Sequence, residues 1–203
     1  FDALDLDISQ ARIVDSTFIN NGNDSIDLMT SDLSLLNSYI AKSGDKGVSV
    51  GEGSRLLAIN NTIENNAIGV QSKDGSVATL YNVNLVANKN AVDAYKKNWR
   101  YASGGYLYIY KSYLAGNNKM VTADKQSAIQ IYDTAYDQEI VEERKKKRIM
   151  LHKTASRMGS NLKALGKKLW RYPSEVEQMR GFNQKDWELV NVLTRGSEVA
   201  VEN

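Results

Sequence analysis

Residues 44–54 read GDKGVSVGEGS, and this stretch decides between two classes of protein. Four glycines, a lysine and a closing serine are typical of a loop that binds phosphate. A P-loop ends in a lysine followed by serine or threonine, and a dinucleotide fingerprint needs a third glycine after Gly51 and Gly53. Neither pattern is completed here. The stretch is therefore better interpreted as one member of a repeat.

The repeat has a period of about 22 residues. The steps between the central residues of one recurring triplet are 22, 22, 22, 22 and 29. The triplet alternates apolar and polar residues, and weakens later in the chain: Leu4-Asp5-Leu6, Ile26-Asp27-Leu28, Val48-Ser49-Val50, Val70-Gln71-Ser72, Val92-Asp93-Ala94 and Val121-Thr122-Ala123. Two further apolar columns follow the same spacing: Phe18, Ile40, Ile63, Leu85 and Leu114; and Ile13, Leu35, Ile59, Leu80 and Ile109.

Each repeat thus holds three short alternating segments separated by Gly, Asn, Asp or Ser. A segment of three to five residues is unstable alone, but stacking at ~4.8 Å on a matching neighbour adds ladder hydrogen bonds and buries its inward side chain. A leucine-rich repeat lacks support because no helical return arm is visible, and a sandwich would not hold this register. The sequence predicts a right-handed parallel β-helix of about six rungs over residues 1–137.

The rungs resemble the right-handed parallel β-helix superfamily that includes pectate-lyase-like proteins. The stretches GDKGVSVGEGS, KDGS and YKKNWRY are most similar to β-helical segments of secreted bacterial proteins that accompany CotH-type kinase or lamin-tail modules. The resemblance implies a fold more firmly than an activity, because this superfold includes lyases, hydrolases, epimerases, adhesins and spacers.

Composition excludes some classes and divides the chain. The 203 residues include no cysteine, which excludes a disulfide framework and cysteine-ligated metals. No apolar run reaches the ~18 residues that a membrane span needs. Residues 1–137 carry a net charge of −3, whereas residues 138–203 carry +5. We therefore expect a second unit after residue 137, and we expect the chain, which starts at Phe1, to be part of a larger chain or assembly.

The outward column of the first strand is the first candidate site. It contains Asp5, Asp27, Ser49, Gln71, Asp93 and Thr122. The resemblance to polysaccharide lyases implies a face that binds Ca²⁺ and uronate, with Asp5, Asp7 and Asp27 as candidate calcium ligands because calcium needs converging oxygens. The alternative is that these acids only solubilise the rod and block lateral pairing. We predict no obligatory cofactor.

The longer rung is the second candidate site. Its extra residues include Tyr95, Trp99 and Tyr101, whose rings could stack on sugars, with Lys96 and Arg100 among the nearby cations. The resemblance to lyases of this superfold implies Lys96 or Arg100 as the base, and Lys46, Lys73 and Lys97 also lie near corners of the rungs. The alternatives are that these cations only pair with neighbouring surface acids, and that Trp99 folds over the edge of the core. Nucleic acid is not an expected partner because the rungs are net acidic.

Residues 138–203 are rich in helix formers and predict a basic α-helical tail. Ile149, Met150, Leu162, Leu165, Leu169 and Trp170 have helical spacing, and Pro173 fits the first turn of another helix. The lone His152 is expected to be structural or exposed. The tail could cap the open end of the rod, or residues 144–171 could bind an anionic partner or an anionic membrane surface.

These observations favour a non-catalytic module of a secreted or surface-associated bacterial protein, located outside the cell or in the envelope. Such a module would present a face to a polysaccharide or a protein. Two alternatives stay open: a polysaccharide lyase or epimerase acting on uronate-containing polymers, and a scaffold subunit of an envelope or polysaccharide-synthesis assembly.

Overall fold

A computed structural model describes residues 1–143, 146–152 and 156–157, which wind through successive turns of short strands. In chain order the strands are β1 (Leu4–Asp7), β2 (Gln10–Val14), β3 (Thr17–Ile19), β4 (Ile26–Met29), β5 (Asp32–Leu36), β6 (Tyr39–Ala41), β7 (Lys46–Gly51), β8 (Arg55–Ile59), β9 (Thr62–Glu64), β10 (Ile68–Lys73), β11 (Val77–Tyr81), β12 (Asn84–Val86), β13 (Asn90–Tyr95), β14 (Tyr106–Tyr110), β15 (Tyr113–Ala115), β16 (Lys119–Ala123), β17 (Ala128–Tyr132), β18 (Ala135–Tyr136), β19 (Ile149–Leu151) and β20 (Ser156–Arg157). None of the described residues belongs to a helix long and apolar enough to cross a membrane.

The strands form three parallel sheets, because each strand pairs with its counterpart one turn away rather than with its neighbour in sequence. Sheet A contains β1, β4, β7, β10, β13 and β16 in that order. Sheet B runs from β2 to β19, and sheet C from β3 to β20, each with seven strands. The parallel β-helix expected from the repeat is therefore confirmed, with about seven turns rather than six.

The core fills the space that the three sheets enclose. Inward side chains from every sheet join one continuous cluster, as the alternation of the triplets predicts. Ile26, Leu28, Val48 and Val50 of sheet A are fully buried, and so are Leu35 of sheet B and Ile40 of sheet C. This enclosed core makes the rod rigid, so that the outward side chains are presented on a fixed frame.

The corners between strands depend on residues in the left-handed backbone region. Asparagine and aspartate tolerate positive φ better than other residues with a β-carbon, which explains their abundance in the rungs. One corner column shows this with Asp15, Asn37, Asn60, Asn82 and Asp133, and with Lys111 as its departure from Asn or Asp; the φ values of all six lie between 44° and 55°. The polar punctuation in the sequence is thus a requirement of the turns.

Buried asparagines form a ladder at another corner. The side-chain oxygen of Asn88 accepts from the backbone amide and the side-chain amide of Asn66, both at 3.0 Å. Its own side-chain amide donates to the Ile63 carbonyl at 3.0 Å and to Asn117 at 3.1 Å. The ladder satisfies corner groups that have no strand partner, which is the condition for burying them.

Two predicted columns are confirmed residue by residue, and the third needs one correction. Leu35 and Leu80 both pair with Ala58, not with the predicted Ile59. Ile59 pairs with Leu36 and lies on the outer face of sheet B. The prediction of Ile59 as a core position is wrong. Leu56-Leu57-Ala58-Ile59 has apolar residues on both faces of the strand, so the sequence does not show which face is inward, and the small Ala58 does not stand out as a core residue.

The solenoid also continues beyond the predicted boundary at residue 137. β19 pairs with β17 and β20 pairs with β18, which adds a partial seventh turn. The predicted helix at Ile149 and Met150 is wrong, because Ile149 enters the core from a strand. The pattern Ile149-Met150-Leu151 also satisfies a period of two, and the edge of β17 offers unpaired backbone groups to it. The other predicted tail helices lie in residues 158–203, outside the described residues.

Candidate functional site

The outward face of sheet A aligns the first candidate site. Each residue of the predicted column pairs with the next one on the adjacent strand, so the column is one continuous line. Its order is Asp5, Asp27, Ser49, Gln71, Asp93 and Thr122. Asp5 is exposed, whereas Ser49 and Gln71 are buried despite pointing away from the core. The column therefore changes from an open acidic end to a covered polar centre.

Hydrogen bonds order the later part of this column. Gln71 Nε2 donates to Asp93 Oδ2 at 2.8 Å, and the Thr122 hydroxyl donates to the other oxygen of Asp93. Asn90 Nδ2 donates to Thr122 Oγ1 at 2.7 Å. Gln71 Oε1 is buried and accepts no hydrogen bond, although the residue is only 4% exposed. A bound molecule would reach this oxygen only after a neighbouring side chain moved, because the atom has no exposed surface.

The acidic end of the column carries a second unused acceptor. Asp27 Oδ1 is buried without a hydrogen-bond partner. Slight desolvation by the rod, together with the neighbouring charges of Asp7, Asp27 and Asp2, raises the pKa of the exposed Asp5 carboxyl. Among the described residues, no three acidic or histidine side chains converge in the arrangement that a metal ion needs. The calcium interpretation of Asp5, Asp7 and Asp27 stays a prediction.

Lys73 covers the centre of the column, and the sequence did not single it out from the other corner lysines. Its ammonium donates to Ser49 Oγ at 3.1 Å, and the residue is 6% exposed. A β-carbon at Gly51 would lie 2.4 Å from Lys73 Cε, so only glycine leaves room for this lysine. The signal in the sequence was the register of Gly51, Lys73 and Tyr95, which lie at the ends of adjacent strands.

Glu52 completes this neighbourhood. It follows β7 at a corner with a φ of 54°. Burial raises its pKa, while the charge of Lys73 opposes the shift and the charges of Asp74 and Asp27 add to it. Burial also raises the pKa of the nearby Tyr95 hydroxyl. A covered, mixed-charge patch therefore lies where sheet A turns towards sheet B.

The longer rung emerges at the same corner, between β13 and β14, as predicted. Asp74 is fully buried, and its Oδ1 accepts from the amides of Lys97 and Asn98 at 2.7 Å each. The amide of Lys96 donates to Asp124 Oδ2 at 3.0 Å. These anchors fix the backbone of a loop over residues 96–105 on the rod.

Trp99 stands out from this loop with 83% of its surface exposed. The alternative in which Trp99 folds over the core is therefore wrong. The Arg100 guanidinium carbon lies 5.8 Å from the centre of the Trp99 ring, within the range of a cation–π contact. Tyr101 is half-buried beside Gly75, where an added β-carbon would lie 3.6 Å from the Tyr101 ring. The loop thus presents an exposed indole with a cation beside it.

A groove of about 420 Å³ lies beyond the last strand of sheet A. Thr122, the final member of the column, lines it together with Met120, Val121 and Ile140. Its lining strand β16 pairs with β13, the strand that leads into the Trp99 loop. We rank it below the loop as a candidate site, because its lining offers apolar groups but no exposed aromatic ring on which a sugar could stack.

The predicted site residues thus separate into two adjoining features. Asp5, Asp27, Ser49, Gln71, Asp93 and Thr122 form the column, and Tyr95 leads from it into the loop that carries Trp99 and Tyr101. Lys96 and Arg100 also lie in that loop. A role for either as a catalytic base stays a prediction. Lys73, Glu52 and Asp74 join these two features.

The comparison with protein families agrees with this architecture. A family model described as "right handed beta helix region" matches residues 2–143. A solved structure entitled "Crystal structure of pectate lyase Pel9A" superposes with a TM-score of 0.48 and 10% sequence identity, over 59% of this chain and 36% of that one. We found no match to this sequence among curated proteins.

Proposed function

The chain belongs to the right-handed β-helix family, and on this premise we propose that it is a non-catalytic module that binds polysaccharide along sheet A. The observation that supports this proposal is the position of the Trp99 loop beside the outward column. Asp74 directly follows β10, the strand that carries Gln71 and Lys73. Its side chain fixes the loop by accepting a hydrogen bond from the amide of Lys97. One polymer chain could therefore contact both features.

The two features offer complementary contacts. The exposed Trp99 ring suits the apolar face of a sugar, and Arg100 and the exposed Lys97 suit a carboxylate or sulfate on it. The carboxylates of the exposed Asp5 and of the partly exposed Asp27 and Asp93 suit sugar hydroxyls. Adjacent members of the column are separated by the ~4.8 Å strand spacing, which is close to the length of one sugar ring. We therefore favour an anionic polysaccharide as the ligand.

The location and wider context belong to the same proposal. We place the module in a secreted or surface-associated bacterial protein, where such polymers occur. The association with CotH-type modules stays a prediction. A scaffold role in a polysaccharide-synthesis assembly is the alternative, and it would use the same rigid rod without a sugar ligand.

Binding to an array of anionic and neutral polysaccharides tests the proposal, followed by titration calorimetry on any polymer that binds. We expect Trp99→Ala to weaken binding about tenfold, since a stacked ring contributes roughly 1 kcal/mol. Phe1→Ala is the matched control, because Phe1 is also an exposed aromatic residue and lies outside the loop. Absence of binding to every polymer, or equal effects of both variants, would contradict the proposal.

The same preparations separate binding from catalysis. A lyase acting on uronate polymers creates unsaturated chain ends that absorb ultraviolet light. We expect constant absorbance with and without added Ca²⁺. An increase that is lost in Lys96→Ala or Arg100→Ala would replace the binding module with the lyase alternative.

A further inference from the structure

Sheet A ends one turn earlier than the other two sheets. Among the described residues, sheets B and C continue into a seventh turn with β19 and β20, whereas the last strand of sheet A is β16. The chain supplies residues 138–143 at the corresponding point, and these residues form no strand. One edge of β16 pairs with β13. Its other edge therefore carries backbone groups that have no strand partner in the described part of the chain.

The core is partly open where this strand is missing. Val121 and Ala123 are the inward residues of β16, and both are partly exposed. Their counterparts on the preceding turn, Val92 and Ala94, are fully buried. The groove of about 420 Å³ lies between β16 and residues 138–143, and Val121 and Ala123 line it. The groove thus combines a free strand edge with a partly uncovered piece of core.

Hydrogen bonds hold residues 138–143 on the far side of the groove. The Glu143 amide donates to the Ile149 carbonyl at 2.9 Å, and the Leu151 amide donates to Glu142 Oε1 at 2.7 Å. Both contacts tie the segment to β19, which belongs to sheet B. The segment therefore follows β19 and leaves the edge of β16 open.

The shape and chemistry of the groove select an extended strand as its occupant. A strand lies about 4.8 Å from its neighbour, whereas an α-helix is about 10 Å across and has no free backbone groups along its side. The end of a second rod does not fit, because its β2 and β3 would need the places of β19 and β20. The lining residues, all within the described chain, include no aromatic ring for a sugar. A single peptide segment meets each of these conditions.

We propose that the free edge of β16 binds an extended segment of a partner protein, which becomes the seventh strand of sheet A. Main-chain hydrogen bonds to β16 supply the affinity, and side chains at alternate positions supply the specificity. In the parallel register of sheet A, the segment places apolar residues beside Val121 and Ala123 and a polar residue beside Thr122. It thus repeats the apolar–polar–apolar triplet of the rungs. The exposed Glu139 in the groove lining favours a basic residue next to this triplet.

Selection of peptides by the full chain tests this proposal. Random peptides long enough to cover β16 are displayed on phage, panned against the protein, and synthesised for measurement of Kd by fluorescence anisotropy. We expect the enriched peptides to share an apolar–polar–apolar core. Val141→Glu should weaken their binding about tenfold or more, because it puts a charge into the groove lining. Val141 is 71% exposed, so the fold tolerates this change.

Met29→Glu is the matched control, because Met29 is an exposed apolar residue at the end of another strand of sheet A. It should leave peptide binding unchanged. Trp99→Ala should also leave it unchanged, which separates this site from the proposed polysaccharide site. Hydrogen exchange reports the mode of binding: we expect the amides of β16 to exchange about tenfold more slowly with a selected peptide bound.

Three results would overturn the proposal: no enriched peptide, equal weakening by Val141→Glu and Met29→Glu, or unchanged exchange in β16 when a peptide is bound. Slow exchange of β16 in the protein alone would also overturn it. If that protection increases with protein concentration, a second copy occupies the edge. If the protection is the same at every concentration, this chain already covers its own edge.

Discussion

The carboxylate of Asp74 holds the backbone of Lys97 through a hydrogen bond of 2.7 Å, and the same oxygen accepts from Asn98. Asp74 lies at the corner after β10, with a φ of 53°. One buried acid thus closes a turn and anchors the loop that carries Trp99. Because two amides converge on one oxygen, this part of the loop depends on the Asp74 side chain.

Asp74→Ala should release the loop while leaving the rod folded. Both anchoring bonds are lost, and alanine tolerates the left-handed backbone less well than aspartate does. We expect the amide hydrogens of Lys97 and Asn98 to exchange at least about tenfold faster, as measured by hydrogen exchange. Asp74→Asn is the matched control, because it retains an acceptor oxygen and tolerates positive φ. Unchanged exchange in the alanine variant would contradict the anchoring role.

Gly51→Ala should displace Lys73 from the centre of the column. The added methyl group would lie 2.4 Å from Lys73 Cε, and this flexible side chain can move more easily than the backbone. We expect loss of the bond to Ser49, a cost of about 1 kcal/mol in the free energy of unfolding, and faster acetylation of Lys73 by mass spectrometry.

Gly53→Asn provides the comparison for Gly51→Ala. A β-carbon at Gly53 has no atom within 4 Å, and asparagine tolerates its φ of 75°. Lys73 should stay protected from acetylation in this variant. If both substitutions left Lys73 equally protected, the close approach between Gly51 and Lys73 would not control the position of the lysine.

The Glu52 carboxyl should contribute more to stability as the pH falls from neutral towards its ordinary pKa of 4.5. Burial raises the pKa of Glu52 above its ordinary value of 4.5. The folded state then binds the proton more tightly than the unfolded state does, so protonation stabilises the fold between the raised pKa and 4.5. Glu52→Gln should be more stable than the parent at pH 7 and should flatten the dependence.

Thermal unfolding of the parent and Glu52→Gln between pH 4.5 and pH 7 measures this contribution. Glu139→Gln is a suitable comparison, because Glu139 is exposed, whereas Glu64 accepts a hydrogen bond from the Tyr39 hydroxyl. If the melting temperature of the parent falls steadily as the pH is lowered from 7 to 4.5, and Glu52→Gln behaves identically, folding does not disfavour the Glu52 carboxylate.

The fold could be predicted from the sequence because a period of two inside a period of 22 leaves few solutions. Asp5, Asp27 and Ser49 aligned as expected because each triplet has apolar residues on both sides of one polar residue. The error at Ile59 arose where four consecutive apolar residues remove the alternation. The error at Ile149 arose because three residues fit a strand and a helix equally well.

The candidate site was only partly visible in the sequence. Trp99 could be identified because an insertion in a regular repeat must leave the rod, and an aromatic residue there is conspicuous. The roles of Lys73 and Asp74 could not be identified in the sequence, because both depend on contacts across turns. Lys73 contacts Ser49, and Asp74 contacts the amides of Lys97 and Asn98. Single residues in a repeat do not reveal which neighbour they will meet on the adjacent turn.

Asn88→Ala should be the most destabilising of these substitutions. The change leaves the Ile63 carbonyl without its 3.0 Å donor and the Asn66 amide without its 3.0 Å acceptor, both inside the corner. Each buried group that loses its partner costs about 1–3 kcal/mol, so we expect a loss of roughly 3 kcal/mol or more, measured by urea unfolding. Lys89→Ala is the control, because the adjacent Lys89 is exposed and should change stability by less than about 0.5 kcal/mol. A similar small loss in both variants would mean that water replaces the ladder, and that the buried asparagines are not what holds consecutive turns in register.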